Sequence, residues 1–137
     1  NGPRSNYQNG LYKIVYDYIK YNKIIYFGTK DSVREYIYIK DAAKSCVDIL
    51  EKKFINKVVV ITGKNKIFVQ KLLSIFASLL KYNKKIIFKN INNPHHYEKN
   101  PYTFSRNFGI KYFSTKNKNI KKGLEELIGI VKKDNSL

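Results

Sequence analysis

The chain has 137 residues, of which 43% are hydrophobic, enough to build one domain around a buried core. With 27% charged residues, 7 Gly and 3 Pro, the composition excludes collagen-like, low-complexity and disordered classes, and the single cysteine excludes a disulfide framework or a cysteine-based zinc site. The formal net charge of +17 leaves open a partner that is a polyanion.

Residues 1–10 are polar and turn-forming. Leu11, Ile14, Val15, Tyr18 and Ile19 then follow the 3–4 spacing of an amphipathic helix over 11–21. Lys23 to Phe27 reads as a short strand closed by Gly28, and Arg34 to Ile39 alternates as a second strand. Asp41 is placed to begin or cap a helix over 42–53, with Ala43, Val47 and Leu50 on its apolar face and Cys46 as a small buried hydrophobe. Lys57 to Ile61 is a third strand, ended by Thr62 and Gly63. A long helix over 67–82 follows, and Lys85 to Phe88 is a fourth strand. Residues 89–117, rich in Asn, Pro and aromatics, read as irregular. A last helix over 120–131 turns Leu124, Leu127, Ile128 and Val131 to the core. The expectation is one α/β unit, with short strands and three to four helices.

The apolar run Leu72 to Leu80, bounded by Lys71 and Lys81, is too short to span a bilayer, so no membrane association is expected. Residues 1–10 lack the basic-then-apolar order of a signal peptide, and a cytoplasmic location is expected. The chain contains no Met, so Asn1 is not expected to be the natural start.

Of the 27 basic residues only Arg4, Arg34 and Arg106 are arginines. The lysines are spread along the chain and accompany abundant Asn, Ile and Tyr, as an AT-rich coding bias would produce. A selected phosphate-binding face would draw more on arginine, whose planar fork pairs with phosphate in two bonds. No specific nucleic-acid partner is therefore expected, although a small basic nucleic-acid-binding module is the alternative class. Against this background each arginine is a candidate for work that lysine does badly, with a structural ion pair as the competing role.

No Gly-rich dinucleotide fingerprint, phosphate loop or nucleophile elbow occurs. His95 and His96 are adjacent and lack metal-spaced companions, so no metal site is expected. Asp31, Glu35 and Asp41 are too scattered for paired-carboxylate catalysis, and Glu125 and Glu126 read as a solvated helix face. No catalytic residue can be named in this chain.

Several segments carry a further signal. Asn1-Gly2-Pro3-Arg4 is a turn, and Asn9-Gly10-Leu11 opens the helix after it. Ile25-Tyr26-Phe27-Gly28 is a short strand ended by a glycine, and the stretch Arg34-Glu35-Tyr36-Ile37-Tyr38-Ile39-Lys40-Asp41-Ala42-Ala43 follows six residues later. Val59 to Gly63 is a later strand and glycine, and Gly123-Leu124 lies in the last helix. In order and over nearly the whole length, these segments resemble the C-terminal part of the extended short-chain dehydrogenase/reductase family, the NAD-dependent nucleotide-sugar epimerases and dehydratases. The first segment resembles the family's Tyr-Gly-Pro-Arg turn, and Arg34 to Ala43, the specific part, resembles Arg-Asp-Tyr-Ile-His-Val-x-Asp-x-Ala, with Glu for Asp and Tyr for His. Ile25 to Gly28 resembles the family's short strand and glycine, Val59 to Gly63 is loosely similar to a later strand and glycine, and Gly123-Leu124 to the closing helix.

The resemblance implies that residues 1–137 are the substrate-binding portion of a longer enzyme. A preceding Rossmann half would carry the NAD site and the catalytic Tyr-x-x-x-Lys pair. It implies a nucleotide-sugar substrate, UDP-linked by preference, a role in sugar-nucleotide metabolism for surface polysaccharide, and a homodimeric whole. Arg34 matches the arginine that contacts the substrate diphosphate, with a strand-holding ion pair as the alternative. Ile25 and Phe27 match positions beside the nucleotide base, with core packing as the alternative. Gly10 and Leu11 match the helix start near the diphosphate, or serve as plain turn and core. Arg106 matches less well as a second phosphate-binding arginine. Arg4 is read as supporting its turn, and Asp41 as capping its helix. Epimerase, dehydratase and reductase chemistries share this scaffold, and the sequence does not separate them.

Overall fold

A computed structural model describes residues 6, 8–64, 66–89, 109–114 and 118–135. In chain order the elements are α1 (Gly10–Tyr21), β1 (Ile25–Phe27), β2 (Val33–Glu35), α2 (Ile39–Asp48), a 3-10 turn (Lys52–Phe54), β3 (Val59–Ile61), β4 (Lys66–Phe68), α3 (Val69–Leu79), β5 (Ile87–Lys89), β6 (Ile110–Tyr112) and α4 (Ile120–Asp134).

The strands form three separate pairs. β1 runs parallel to β5 with Ile25 opposite Ile87, and Gly28 N–H extends the ladder to the Lys89 carbonyl at 2.9 Å. β2 is antiparallel to β4, with Arg34 opposite Ile67. β3 is parallel to β6, with Val60 opposite Lys111.

Helix α1 starts where Asn9 Oδ1 accepts the Leu11 and Tyr12 N–H groups at 3.1 and 3.3 Å, satisfying two donors that the first turn leaves free. It ends at Asn22, which takes the left-handed conformation at φ 50°. α3 has no side-chain cap. The 29–32 turn replaces it: the carbonyls of Ser32 and Lys30 accept the N–H groups of Val69 and Gln70. α4 is capped by Asn119, whose side chain accepts the Lys121 N–H at 2.8 Å.

The core lies between α1, α3 and α4. Leu11, Ile14 and Val15 of α1 meet Leu72, Leu73 and Phe76 of α3 and Leu124, Leu127 and Val131 of α4, all buried. Tyr18 adds a polar tie, its hydroxyl donating to the Leu80 carbonyl at 2.9 Å. Of the core positions expected for 11–21, Leu11, Ile14 and Val15 are buried, Tyr18 and Ile19 are partly buried against them, and Tyr12 joins the core unexpectedly. Leu124, Leu127, Ile128 and Val131, expected for 120–131, are all buried, because three helices supply one another's cover.

Several elements differ from expectation. The second strand holds its ladder only over Val33–Glu35, because its partner β4 is three residues long, and helix α2 already begins at Ile39. Ile67 and Phe68, expected as helix, belong to that partner: Ile67 is buried and its neighbours Lys66 and Phe68 are exposed. That is the period of a strand, too short to stand out in an apolar run. β6 lies within the stretch read as irregular. The first, third and fourth expected strands start two residues later than expected, and α4 runs on to Asp134.

The helix expected over 42–53 ends at Asp48, and the face expected in the core, Ala43 and Val47 of α2 with Leu50 just past its end, is exposed, as is Cys46. The one buried residue of α2 is Ser45. Periodicity locates an apolar stripe but does not say what covers it. Asp41 does not cap α2, which starts at Tyr38 without a side-chain cap. Its Oδ2 instead accepts the Lys118 N–H at 2.7 Å, just ahead of α4.

Candidate functional site

A cleft of about 530 Å³ opens between the start of α1, strand β1 and the segment running from β2 towards α2. Gly10 and Leu11 line it from α1, Ile25 and Phe27 from β1, and Arg34 from β2. Five of the six substrate-contacting candidates thus share one cavity. The sixth, Arg106, lies outside the described residues, as do Arg4, His95 and His96.

Arg34 is half-buried, and its Nη1 donates to the Val33 carbonyl at 2.8 Å. Among the described residues no carboxylate forms a salt bridge with it. The neighbouring carboxylate, Glu35, is committed elsewhere. Its side chain is 4% exposed and accepts from Thr62 Oγ1 at 2.5 Å and from Lys111 Nζ at 2.9 Å. Burial pushes the Glu35 pKa up, but the Thr62 and Lys111 contacts outweigh it and hold the carboxyl below its ordinary range. Glu35 thus ties β2 to Thr62, just past β3, and to β6, and leaves the Arg34 guanidinium without a carboxylate partner among the described residues.

Phe27 has two ammonium groups near its ring, Lys13 at 5.8 Å and Lys89 at 6.0 Å from the centroid. Lys13 also pairs with Asp17 at 2.9 Å. Tyr36 also lines the cleft, and burial pushes its hydroxyl up to about 12, with the Tyr26 hydroxyl adding and Arg34 opposing. At neutral pH Tyr36 is a neutral donor rather than a base.

The N–H groups of Leu11 and Tyr12 are already taken by Asn9, so the start of α1 shapes the cleft with its backbone, while the Leu11 side chain goes to the core. Lys13, Tyr26 and Tyr36 escaped the sequence reading. The signal for Lys13 was its helical spacing of three from Gly10, and for Tyr36 its strand spacing of two from Arg34.

A smaller cavity of about 50 Å³ shares Leu11, Tyr36 and Ile37 with the cleft. Lys118 also lines it, with Nζ 4.2 Å from the Tyr38 ring centroid and an ion pair to Glu126. No cluster of His, Cys, Asp or Glu suited to a metal occurs among the described residues. None of their helices is long and apolar enough to cross a membrane.

The cleft is the right size for a small organic anion, with an arginine on one wall and an aromatic ring on another. Solved structures with a similar fold are nucleotide-sugar enzymes. UDP-glucuronic acid 4-epimerase from Bacillus cereus, in complex with NAD, matches with a TM-score of 0.73 at 17% identity, over 96% of this chain and 42% of that one. dTDP-glucose 4,6-dehydratase from Bacillus anthracis, also with NAD, matches at 0.74 and 20% identity, over 99% and 43%. UDP-glucose 4-epimerase from Thermotoga maritima, with UDP-glucose, matches at 0.67 and 15%, over 98% and 42%. The chain has the fold of one part of these nucleotide-sugar enzymes. It spans about two fifths of their length. No family model and no curated protein matches the sequence. The fold implied by the resemblance is therefore found, at an identity that speaks for fold alone.

Proposed function

We propose that residues 1–137 are the C-terminal, substrate-binding portion of an NAD-dependent nucleotide-sugar epimerase or dehydratase. The observation that carries this reading is Arg34: half-buried in a cleft that also holds an aromatic ring flanked by two lysines, and without a carboxylate partner among the described residues. A net charge of +17 supplies cations everywhere, but a guanidinium held in a cavity fits a diphosphate by geometry as well as by charge.

In this reading Arg34 takes the diphosphate of a UDP-sugar in two charge-assisted bonds. Ile25 and Phe27 form the floor beside the base, with Lys13 and Lys89 adding positive potential at the ring. Gly10 and Leu11 bring the start of α1 to the opposite wall, with the Gly10 position leaving room for close approach. Tyr36 offers a neutral hydroxyl. Arg106 is kept as a second phosphate contact. None of these residues performs the chemistry; they bind and orient.

NAD accepts and returns a hydride in such enzymes. This chain's residues are assigned to the sugar nucleotide and not to NAD, which belongs to the remaining part of the enzyme. The whole enzyme would be a cytoplasmic homodimer in sugar-nucleotide metabolism for surface polysaccharide.

The test is turnover. The native gene product, incubated with NAD and a panel of UDP- and dTDP-sugars, is expected to convert one of them, with loss on Arg34→Ala. Conversion of none, by a product shown to be folded, would contradict the reading.

A further inference from the structure

Arg34 has a task in the proposed function, whereas Lys13 and Lys89 enter it only as positive charge. The resemblance assigns nothing to either lysine, yet the fold places both. Lys13 stands three residues after the start of α1 and lines the cleft. Lys89 ends β5 in register with Phe27, and registered partners share a face of the sheet. One ammonium group comes from a helix and the other from a strand, and they meet 5.8 and 6.0 Å from the centre of the Phe27 ring. Lys13 is also held in place. Asp17, one helical turn on and with a side chain only 7% exposed, pairs with its Nζ at 2.9 Å. A lysine fixed in this way has already lost much of the rotamer freedom that a surface lysine keeps.

The cleft presents donors. Among the described residues four charged or amide side chains line it: Asn9, Lys13, Arg34 and Glu35. Lysine and arginine have no acceptor. The two acceptors are engaged elsewhere, Asn9 with the Leu11 and Tyr12 N–H groups and Glu35 with Thr62 and Lys111. A ligand suited to such a wall carries acceptors. Beside Phe27, a flat ring does so when carbonyl oxygens stand on its rim. Uracil and thymine present one at position 2 and one at position 4. Cytosine keeps the first but has an amino group at the second, which sets N–H groups against ammonium N–H groups with no acceptor between them. Leaving buried donors unpaired is costly, so the difference is a selective one.

We propose that Lys13 and Lys89 are specificity-determining residues of the cleft. Their ammonium groups donate to the carbonyl oxygens of a uracil or thymine packed on Phe27, and they reject a base with an amino group in that place. The proposal rests on the sugar-nucleotide reading and adds which side chains read the base.

The experiment compares UDP with CDP, which differ only along one edge of the base. Titration calorimetry of the native gene product is expected to give UDP a dissociation constant at least about tenfold below that of CDP. In Lys13→Met/Lys89→Met both ligands bind more weakly, because positive potential near the diphosphate is lost, and the ratio falls to within about threefold. Lys13→Met removes a partner of the buried Asp17 carboxylate, so the same ratio is measured with Asp17→Asn added, and circular dichroism confirms the fold. Lys89→Met alone, at an exposed position, is expected to give part of the fall. Lowered affinities with an unchanged ratio assign the lysines to charge attraction alone and overturn the proposal. Equal binding of UDP and CDP by the wild type also overturns it and leaves the diphosphate reading of Arg34 standing. Binding of neither overturns both.

Discussion

Gly63, two residues beyond the end of β3, is pressed against the backbone of Tyr36. A Cβ at Gly63 would overlap the Tyr36 carbonyl oxygen and lie 2.7 Å from its carbon. This contact joins the end of β3 to the segment that carries Tyr36 into the cleft, and only a glycine allows it. Gly63→Ala must move one strand end or the other. The expected cost is about 1–3 kcal/mol, as for other insertions into filled space. Urea denaturation of the variant checks it, and an unchanged midpoint would show that the two segments do not meet this closely.

Glu35 makes acid stability a local property. Its folded-state pKa is held below the ordinary carboxylate range by Thr62 and Lys111, against the opposing effect of burial. A depressed pKa contributes stability above the unfolded value, and this is lost as pH falls through the folded one. The unfolding free energy is therefore expected to drop as pH falls below about 4.3. Glu35→Gln should flatten that limb while costing stability at neutral pH. Parallel acid limbs in the two proteins would contradict the assignment.

Tyr36 contributes to stability on the alkaline side. Burial holds its hydroxyl near 12, above its unfolded value of about 10. A raised pKa contributes stability that is intact below the unfolded value and is lost as pH rises towards the folded one. Tyr36→Phe is expected to remove the latest-ionising phenol from an ultraviolet titration and to soften the alkaline loss of stability. A titration unchanged by the substitution would place the late phenol elsewhere.

Asp41 links two helices rather than capping one. Its bond to the Lys118 N–H fixes the approach to α4, whose buried face is part of the core. Asp41→Ala should cost about 1.5–3 kcal/mol, the range for bonds to a charged group. Asp41→Asn, which keeps an acceptor, should cost less. Equal losses in both variants, measured by urea denaturation, would mean that the acceptor is not what matters.

The parts of the fold legible in the sequence are those where the pattern and its cover lie in the same chain. α1 and α4 show their core faces plainly because Leu11, Val15, Leu127 and Val131 are buried against one another and α3. β4 and β6 were not legible, since three residues give too little period to distinguish a strand from a helix turn or a loop. α2 was legible as a helix but not as an inverted one. The stripe Ala43, Val47 and Leu50 reads the same whether this chain covers it or another domain does. The cleft was legible through the scarcity of arginine and the motif around Arg34. Lys13 and Tyr36 reach it only through helix and strand geometry, which composition does not display.

The most direct measurement is the affinity of UDP for the native gene product and for its Arg34→Ala variant, by titration calorimetry, with circular dichroism confirming that both are folded. The expected result is binding weakened by about 1.5–3 kcal/mol, or about 10- to 150-fold, with Arg34→Lys recovering only part of it. An equal dissociation constant in wild type and Arg34→Ala would contradict the assignment of this cleft to a sugar-nucleotide diphosphate.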